Sequence, residues 1–191
     1  MATLVVILRI ISLLAFAGPL SFLSAGRRAK LARRSRPSGG DRAPVVANVA
    51  SFVLFFVSFF AYAGGLTGST ALMLASSGSI LALAGAALVL RSRAELGAAW
   101  SLVPDADQQT GLVTTGPYRF VRHPIYLGLS ILAVGQALAF GSGPALIIVL
   151  FACVPTFALR ARAEEKLLAC IFGDRYADYR RRTRMIIPFV L

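Results

Sequence analysis

The chain has 191 residues, 57% hydrophobic and only 15% charged, with a mean hydropathy of +0.74 and a formal net charge of +12. A soluble domain of this length has too little interior to hide so much apolar surface, so the composition points to a single membrane domain over residues 1–191. The positive charge is no sign of nucleic-acid binding, because the basic residues sit in clusters between apolar runs and read as topology signal and attraction to anionic membrane lipids.

Five apolar runs follow in chain order: Thr3–Ala25, Val45–Ala63, Thr70–Leu90, Pro124–Phe140 and Pro144–Leu159. Each has roughly 16 to 23 residues, enough for a helix rising 1.5 Å per residue to cross about 30 Å of hydrocarbon, although the last two are short. The expected fold is an all-α integral membrane protein of about five transmembrane helices. Residues 1–90 hold three of these spans, and residues 91–191 form a core with two more and a C-terminal amphipathic helix and tail.

In the first run, Leu4–Leu14 is apolar nearly all round, as a lipid-facing helix should be. Arg9 interrupts it, and either snorkels to the outer interface, the expected outcome, or faces a neighbouring helix. Ala15-Phe16-Ala17 resembles a signal-peptide cleavage site. No positive segment precedes the run, however, and a dense basic one follows it, so a retained span is expected. Residues 26–42, with Pro37-Ser38-Gly39-Gly40, read as a flexible basic loop that tethers lipid headgroups.

Gly64-Gly65 with Gly68, and Gly141-Ser142-Gly143-Pro144, mark tight breaks between paired helices. Neither break carries a charge. Residues 26–42 hold seven Lys or Arg, and apart from Arg9 every other charged residue lies in 26–42, 91–123 or 160–191. Five spans put these three segments on one side, which the positive-inside rule makes cytoplasmic, with the N-terminus outside. Trp100 is expected as an interfacial anchor and Pro104-Asp105-Ala106-Asp107 as a turn. Cys153 and Cys170 have neither a disulfide framework nor a metal-ligand spacing, and both are expected to be packing residues.

Two polar clusters lie at the charged boundary. In the first, Thr110-Gly111-Leu112-Val113-Thr114-Thr115-Gly116-Pro117 is expected to be extended, with backbone groups free to bond the edge of a flat heterocycle and Leu112 and Val113 covering its faces. Pro124 can start the fourth helix, which places His123 at its N-cap, near free N–H groups suited to a carboxylate. The plainer alternative is that His123 only caps the helix and Tyr126 anchors at the interface. In the second cluster, Arg160 and Glu164 are four apart and share a helix face, with Glu165 on an adjacent one. Leu167, Leu168, Ile171 and Phe172 continue an apolar stripe until Gly173 ends the helix. Arg175–Arg184, with Tyr176 and Tyr179, reads as a basic interfacial tail.

The order G-x-Y-x-x-x-R-H-P-x-Y-x-G (Gly116–Gly128), R-x-x-x-E-E (Arg160–Glu165), F-G-x-x-Y-x-x-Y (Phe172–Tyr179) and a late Pro188 resembles the isoprenylcysteine carboxyl methyltransferase family, related to the phospholipid methyltransferases. The resemblance covers roughly residues 95–190 and agrees with the lack of a soluble-type G-x-G-x-x-G fingerprint. It implies a membrane enzyme that uses S-adenosylmethionine and releases S-adenosylhomocysteine, with its cofactor pocket on the cytoplasmic face. It further implies that Thr110, Gly111, Leu112, Val113, Tyr118, His123, Pro124, Ile125, Tyr126 and Glu164 hold the cofactor. Arg160 matches the catalytic arginine that meets the substrate carboxylate, and no metal is implied. The chain lacks the additional helices that shape a prenyl tunnel in the animal enzymes, so prenylated proteins are not assumed as substrates. Its composition, rich in Ala, Arg and Gly, reads as prokaryotic.

The expected acceptor is a small lipophilic molecule entering from the bilayer, a carboxylate first, since a carboxylate needs no strong base before methyl transfer. An amine headgroup is the alternative, with Glu165 or His123 as base. A membrane scaffold or carrier that kept the fold and lost catalysis is a third reading.

Overall fold

The computed structural model describes residues 1–31, 43–62, 65–97 and 111–186. Their main elements are helical: α1 (Ala2–Leu31), α2 (Ala43–Tyr62), α3 (Gly68–Leu96), a 3₁₀ turn (Gly116–Arg119), α4 (Pro124–Ala139), α5 (Gly143–Ile148), α6 (Val154–Phe172) and α7 (Asp174–Arg182). A π-helical turn over Val149–Cys153 joins α5 to α6 into one continuous rod. Pro155 has no N–H to return to the preceding turn, and the widened turn, in which the Val154 N–H reaches Val149 O, absorbs that loss.

Two helices, Gly68–Leu96 and Gly143–Phe172, are long and apolar enough to cross a membrane; Ala2–Ala17, Val46–Tyr62 and Pro124–Ala139 are shorter apolar helices. Residues 26–31, expected in a loop, belong instead to α1, which stays helical through Leu31, and the rest of the expected loop, 32–42, lies outside the described residues. Ser38, Trp100, the Pro104–Asp107 turn and Pro188 lie outside the described residues.

The bundle is built on the antiparallel pair α3–α4. Gly78 and Gly85 face Gly135 and Gly128 respectively, and both pairs have backbone against backbone. A Cβ on Gly85 would lie 2.5 Å from Leu132 N, and one on Gly135 would lie 2.4 Å from Ala82 N. Buried Ala71, Ala75, Ala82 and Ala86 extend the same face of α3. Lipid offers side chains no hydrophobic gain over one another, so close approach through small residues is what holds such helices together.

α1 lays Val5, Ser12 and Phe16 against this pair and leaves Leu4, Ile7, Ile10 and Leu14 exposed. Ser12 and Gln136 bond each other, with Ser12 Oγ donating to Gln136 Oε1 at 3.2 Å and the Gln136 amide donating to Ser12 O. Of the two alternatives for Arg9, the structure takes the second. Arg9 Nε donates to Ala139 O at 3.1 Å, and its guanidinium lies over the Phe140 ring, 5.5 Å from the centroid. The carbonyls of Gln136, Ala137 and Leu138 accept from Phe140, Ser142 and Gly141 N, while Ala139 O takes the Arg9 N–H at the negative end of the helix dipole, a good place for a cation.

α2 packs on α5 and α6 through Phe52, Phe55 and Phe59, with Val149, Cys153 and Phe157 opposite. Asn48, Ser51 and Thr156 make polar contacts across the same interface, including a 3.1 Å hydroxyl pair between Ser51 and Thr156. Cys153 is buried there, as expected of a packing residue, whereas Cys170 is exposed, so the expectation of packing does not hold for it.

Candidate functional site

The two polar clusters meet at the end of the bundle where α3 finishes, α4 begins and α6 emerges. Pro124 is the first residue of α4 and His123 its N-cap, but the imidazole makes no capping bond. His123 is 7% exposed and lies between two carboxylates, with Nδ1 3.6 Å from Glu164 Oε2 and Nε2 3.5 Å from Glu165 Oε1. The second contact is not aligned as a hydrogen bond, so Nε2 is buried with a charge nearby and no bonded partner. Capping alone therefore does not describe His123.

Glu164 is the hub. Its Oε1 accepts from the Tyr126 hydroxyl at 2.5 Å and from Arg160 Nε at 3.2 Å, while Oε2 faces His123. Helix periodicity explains the convergence, since Arg160 and Glu164 are one turn apart on α6 and Tyr126 stands on the first turn of α4. The Tyr126 ring is stacked between His123 (centroids 5.7 Å apart) and Phe157 (5.3 Å), and the Arg160 guanidinium lies 5.8 Å from its centre. Tyr126 is thus a wall of the site rather than a free interfacial anchor.

Glu165 turns the other way. It is buried and accepts from Arg122 Nε at 2.6 Å. Arg122 also donates through Nη1 to the backbone carbonyls of Thr183 and, at 3.3 Å, of Arg180. The two adjacent glutamates therefore have different environments: Glu165 is sealed against Arg122, while the Glu164 side chain keeps 21% of its surface open.

The tail does more than rest on the surface. Val121 and Arg184 form a parallel bridge; Arg122 N donates to Arg184 O at 2.7 Å and His123 N to Met185 O at 2.9 Å. Tyr179 Oη donates to Tyr118 O at 2.7 Å. Gly173 takes φ +51, a conformation that favours glycine, and so lets α7 fold back from α6 toward this loop. Burial, with Tyr179 and Glu164 adding to it, pushes the Tyr118 phenol up from its ordinary value. Burial likewise raises Tyr176 and Tyr179, so these phenols stay neutral.

Of the residues expected to form the site, His123, Tyr126, Arg160 and Glu164 come together, and Tyr118 is buried in the neighbouring loop, where the charge of Glu164 acts on its phenol. Pro124 is buried beside them, and Ile125 is half-buried on the first turn of α4. Gly111, Leu112 and Val113 lie in a segment without regular secondary structure, with Leu112 and Val113 half-buried, and they make no hydrogen bond to the cluster. Thr110 lies outside the described residues. Sequence reasoning passed over Arg122, Tyr179 and Thr183. Arg122 was visible only as a charge inside the R-H-P motif, and nothing in the spacing announced a tail 61 residues away. Chemically, the site offers a partly open carboxylate for a cation, a guanidinium for an anion and aromatic walls for apolar groups.

A family model described as phospholipid methyltransferase matches residues 73–175, more than half of the chain. The protein-S-isoprenylcysteine O-methyltransferase of Schizosaccharomyces pombe is 35% identical over 79 residues, covering 41% of this chain and 34% of that protein. Methanethiol S-methyltransferase 1 of Bradyrhizobium diazoefficiens is 40% identical over 76 residues, covering 38% of this chain and 24% of that one. The matches thus span about a third or less of these curated relatives. A solved structure of a eukaryotic intramembrane Ras methyltransferase, isoprenylcysteine carboxyl methyltransferase, superposes with a TM-score of 0.57 at 22% identity, over 81% of this chain and 55% of that one. At that identity the likeness concerns the fold.

Proposed function

The chain belongs to the phospholipid methyltransferase family, and from that premise we propose that it is an integral-membrane methyltransferase using S-adenosylmethionine to methylate a small lipophilic acceptor, a carboxylate first. The observation that carries this reading is the convergence of His123, Tyr126, Arg160 and Glu164, drawn from α4 and α6, around one accessible carboxylate.

The donor set fits the cofactor. Glu164 is open enough to receive an ammonium group, Tyr126 and His123 are held beside it, and the half-buried Leu112 and Val113 upstream would give apolar cover. When bound, the cofactor supplies an electrophilic methyl group on a sulfonium. Arg160 holds the acceptor carboxylate and neutralises its charge without taking a proton from it. The tail and α4 together exclude water from the buried side of His123. Positioning and desolvation supply the rate for such an in-line displacement.

The five apolar helices are read as five spans of a prokaryotic cell membrane, with the N-terminus outside and the site and C-terminus cytoplasmic. Cofactor then enters from the cytoplasm and the acceptor laterally from the bilayer. Calorimetry with S-adenosylhomocysteine on the detergent-purified chain tests the core of the reading: saturable binding is expected, and well-folded protein that binds nothing overturns it. A screen of lipid extracts with labelled S-adenosylmethionine and mass spectrometry identifies the acceptor.

One observation favours a second reading. His123 stands within 3.6 Å of both carboxylates, where it could receive the proton that an amine acceptor must lose. Product lability separates the two, because a methyl ester releases its label in mild base and an N-methyl group does not. Cofactor binding with no transfer to any membrane extract would instead favour a scaffold or carrier.

A further inference from the structure

We propose that Glu95, on the last turn of α3, is a positioning residue that holds the cofactor-binding segment in its receptive shape; the inference rests on the cofactor reading given above. Glu95 belongs to none of the motifs in the chain. The structure nevertheless ties it to the start of the first cluster: Thr115 Oγ1 donates to Glu95 Oε1.

Gly116, the next residue, explains how closely the acid approaches. It has φ +57, which favours glycine, and a Cβ there would stand 2.7 Å from Glu95 Oε2 and 2.8 Å from its Cδ. The carboxylate therefore lies against the one residue of the turn with no side chain. Thr115 is held from the other side as well, since its carbonyl accepts from Tyr118 N at 3.1 Å at the start of the 3₁₀ turn. Tyr118 is buried, and the charges of both Glu164 and Glu95 act on its hydroxyl.

Upstream, Gly111–Thr114 has no regular secondary structure and makes no hydrogen bond among the described residues. A segment without bonds of its own must be ordered when a ligand binds, and that ordering opposes binding unless something fixes its end beforehand. The Glu95–Thr115 contact is that fixed end. Glu95 acts through the loop and need not touch the reacting atoms. A neutral acceptor in its place should serve nearly as well.

The test is calorimetry with S-adenosylhomocysteine on the full detergent-purified chain, with the unliganded thermal midpoint measured in parallel. Glu95→Ala and Thr115→Val should each weaken binding by about tenfold, the size of one hydrogen bond, while leaving the midpoint nearly unchanged because the contact is exposed. The double variant should bind no worse than the weaker single one, since both remove the same bond. Glu95→Gln should stay within about threefold of the parent, because its amide oxygen still accepts from Thr115. Parent-like binding by Glu95→Ala overturns the proposal. So do additive losses in the double variant, or a Glu95→Gln variant as weak as Glu95→Ala, which would mean that the charge itself contacts ligand. If Glu95→Ala does not fold, the near-isosteric Thr115→Val carries the test. A parent chain that binds no cofactor at all sinks the functional reading itself and this inference with it.

Discussion

The Tyr126 hydroxyl donates to Glu164 Oε1 at 2.5 Å, joining α4 to α6 at the centre of the site. The bond fixes the carboxylate that is proposed to hold the cofactor, while the Tyr126 ring stays stacked on His123 and Phe157. Tyr126→Phe keeps the stack and removes only the hydroxyl. Cofactor affinity should fall by about 1 kcal/mol, below the ~1.5–3 kcal/mol of a direct hydrogen bond to a charge because Tyr126 acts at second hand, with little change in thermal stability. Calorimetry and thermal unfolding of the same preparation check both halves.

Glu164→Gln removes the charge itself. Affinity for the cofactor should weaken by about 1.5–3 kcal/mol. Arg160→Ala should abolish transfer while costing much less affinity, since Arg160 is assigned to the acceptor. If the two residues form only an i,i+4 surface pair, both changes would move stability by a few tenths of a kcal/mol and leave binding untouched. Binding isotherms and methyl-transfer assays on the two variants distinguish these cases.

Arg122 and Glu165 make a shielded ion pair, with side chains 8% and 10% exposed. Removing one partner leaves the other charged in a poor solvent. Arg122→Ala should therefore destabilise the chain by about 3–5 kcal/mol, more than a surface pair would allow. It should also free the tail, because Arg122 bonds the carbonyls of Arg180 and Thr183. Thermal unfolding with limited proteolysis of the C-terminal segment reads out both effects.

Gly85→Val tests the α3–α4 pair. A Cβ at Gly85 would meet the backbone of Leu132 and Gly128, which cannot swing aside as a side chain can. The cost should reach about 3 kcal/mol, the upper part of the overpacking range. The same change at Gly65, where a Cβ meets nothing within 4 Å, should be nearly neutral and serves as the control.

Orientation is tested by labelling from outside. In a background lacking Cys153 and Cys170, a cysteine at Gly65 should react with an impermeant reagent in intact cells and one at Ser38 should not. The opposite pattern would reverse the proposed topology.

By itself, the sequence determined the helical membrane character, the turn between α4 and α5 and the membership of the key motif. Hydrophobic run length, glycine and proline punctuation and i,i+4 spacing are local properties, which is why the start of α4 at Pro124 and the end of α6 before Gly173 were legible. The seven-residue spacing of Gly78 with Gly85, and of Gly128 with Gly135, was also present in the chain, but its meaning depends on which helices face each other. Only the tertiary structure decided that Arg9 turns to α4, that Glu164 and Glu165 point to different partners, that the tail pairs with residues 121–123 and that Glu95 reaches Thr115. These are contacts between segments 20 to 130 residues apart, and no local periodicity encodes them. They arise because a charge or polar group at a membrane boundary must find a partner, and packing of the helices determines which partner is within reach.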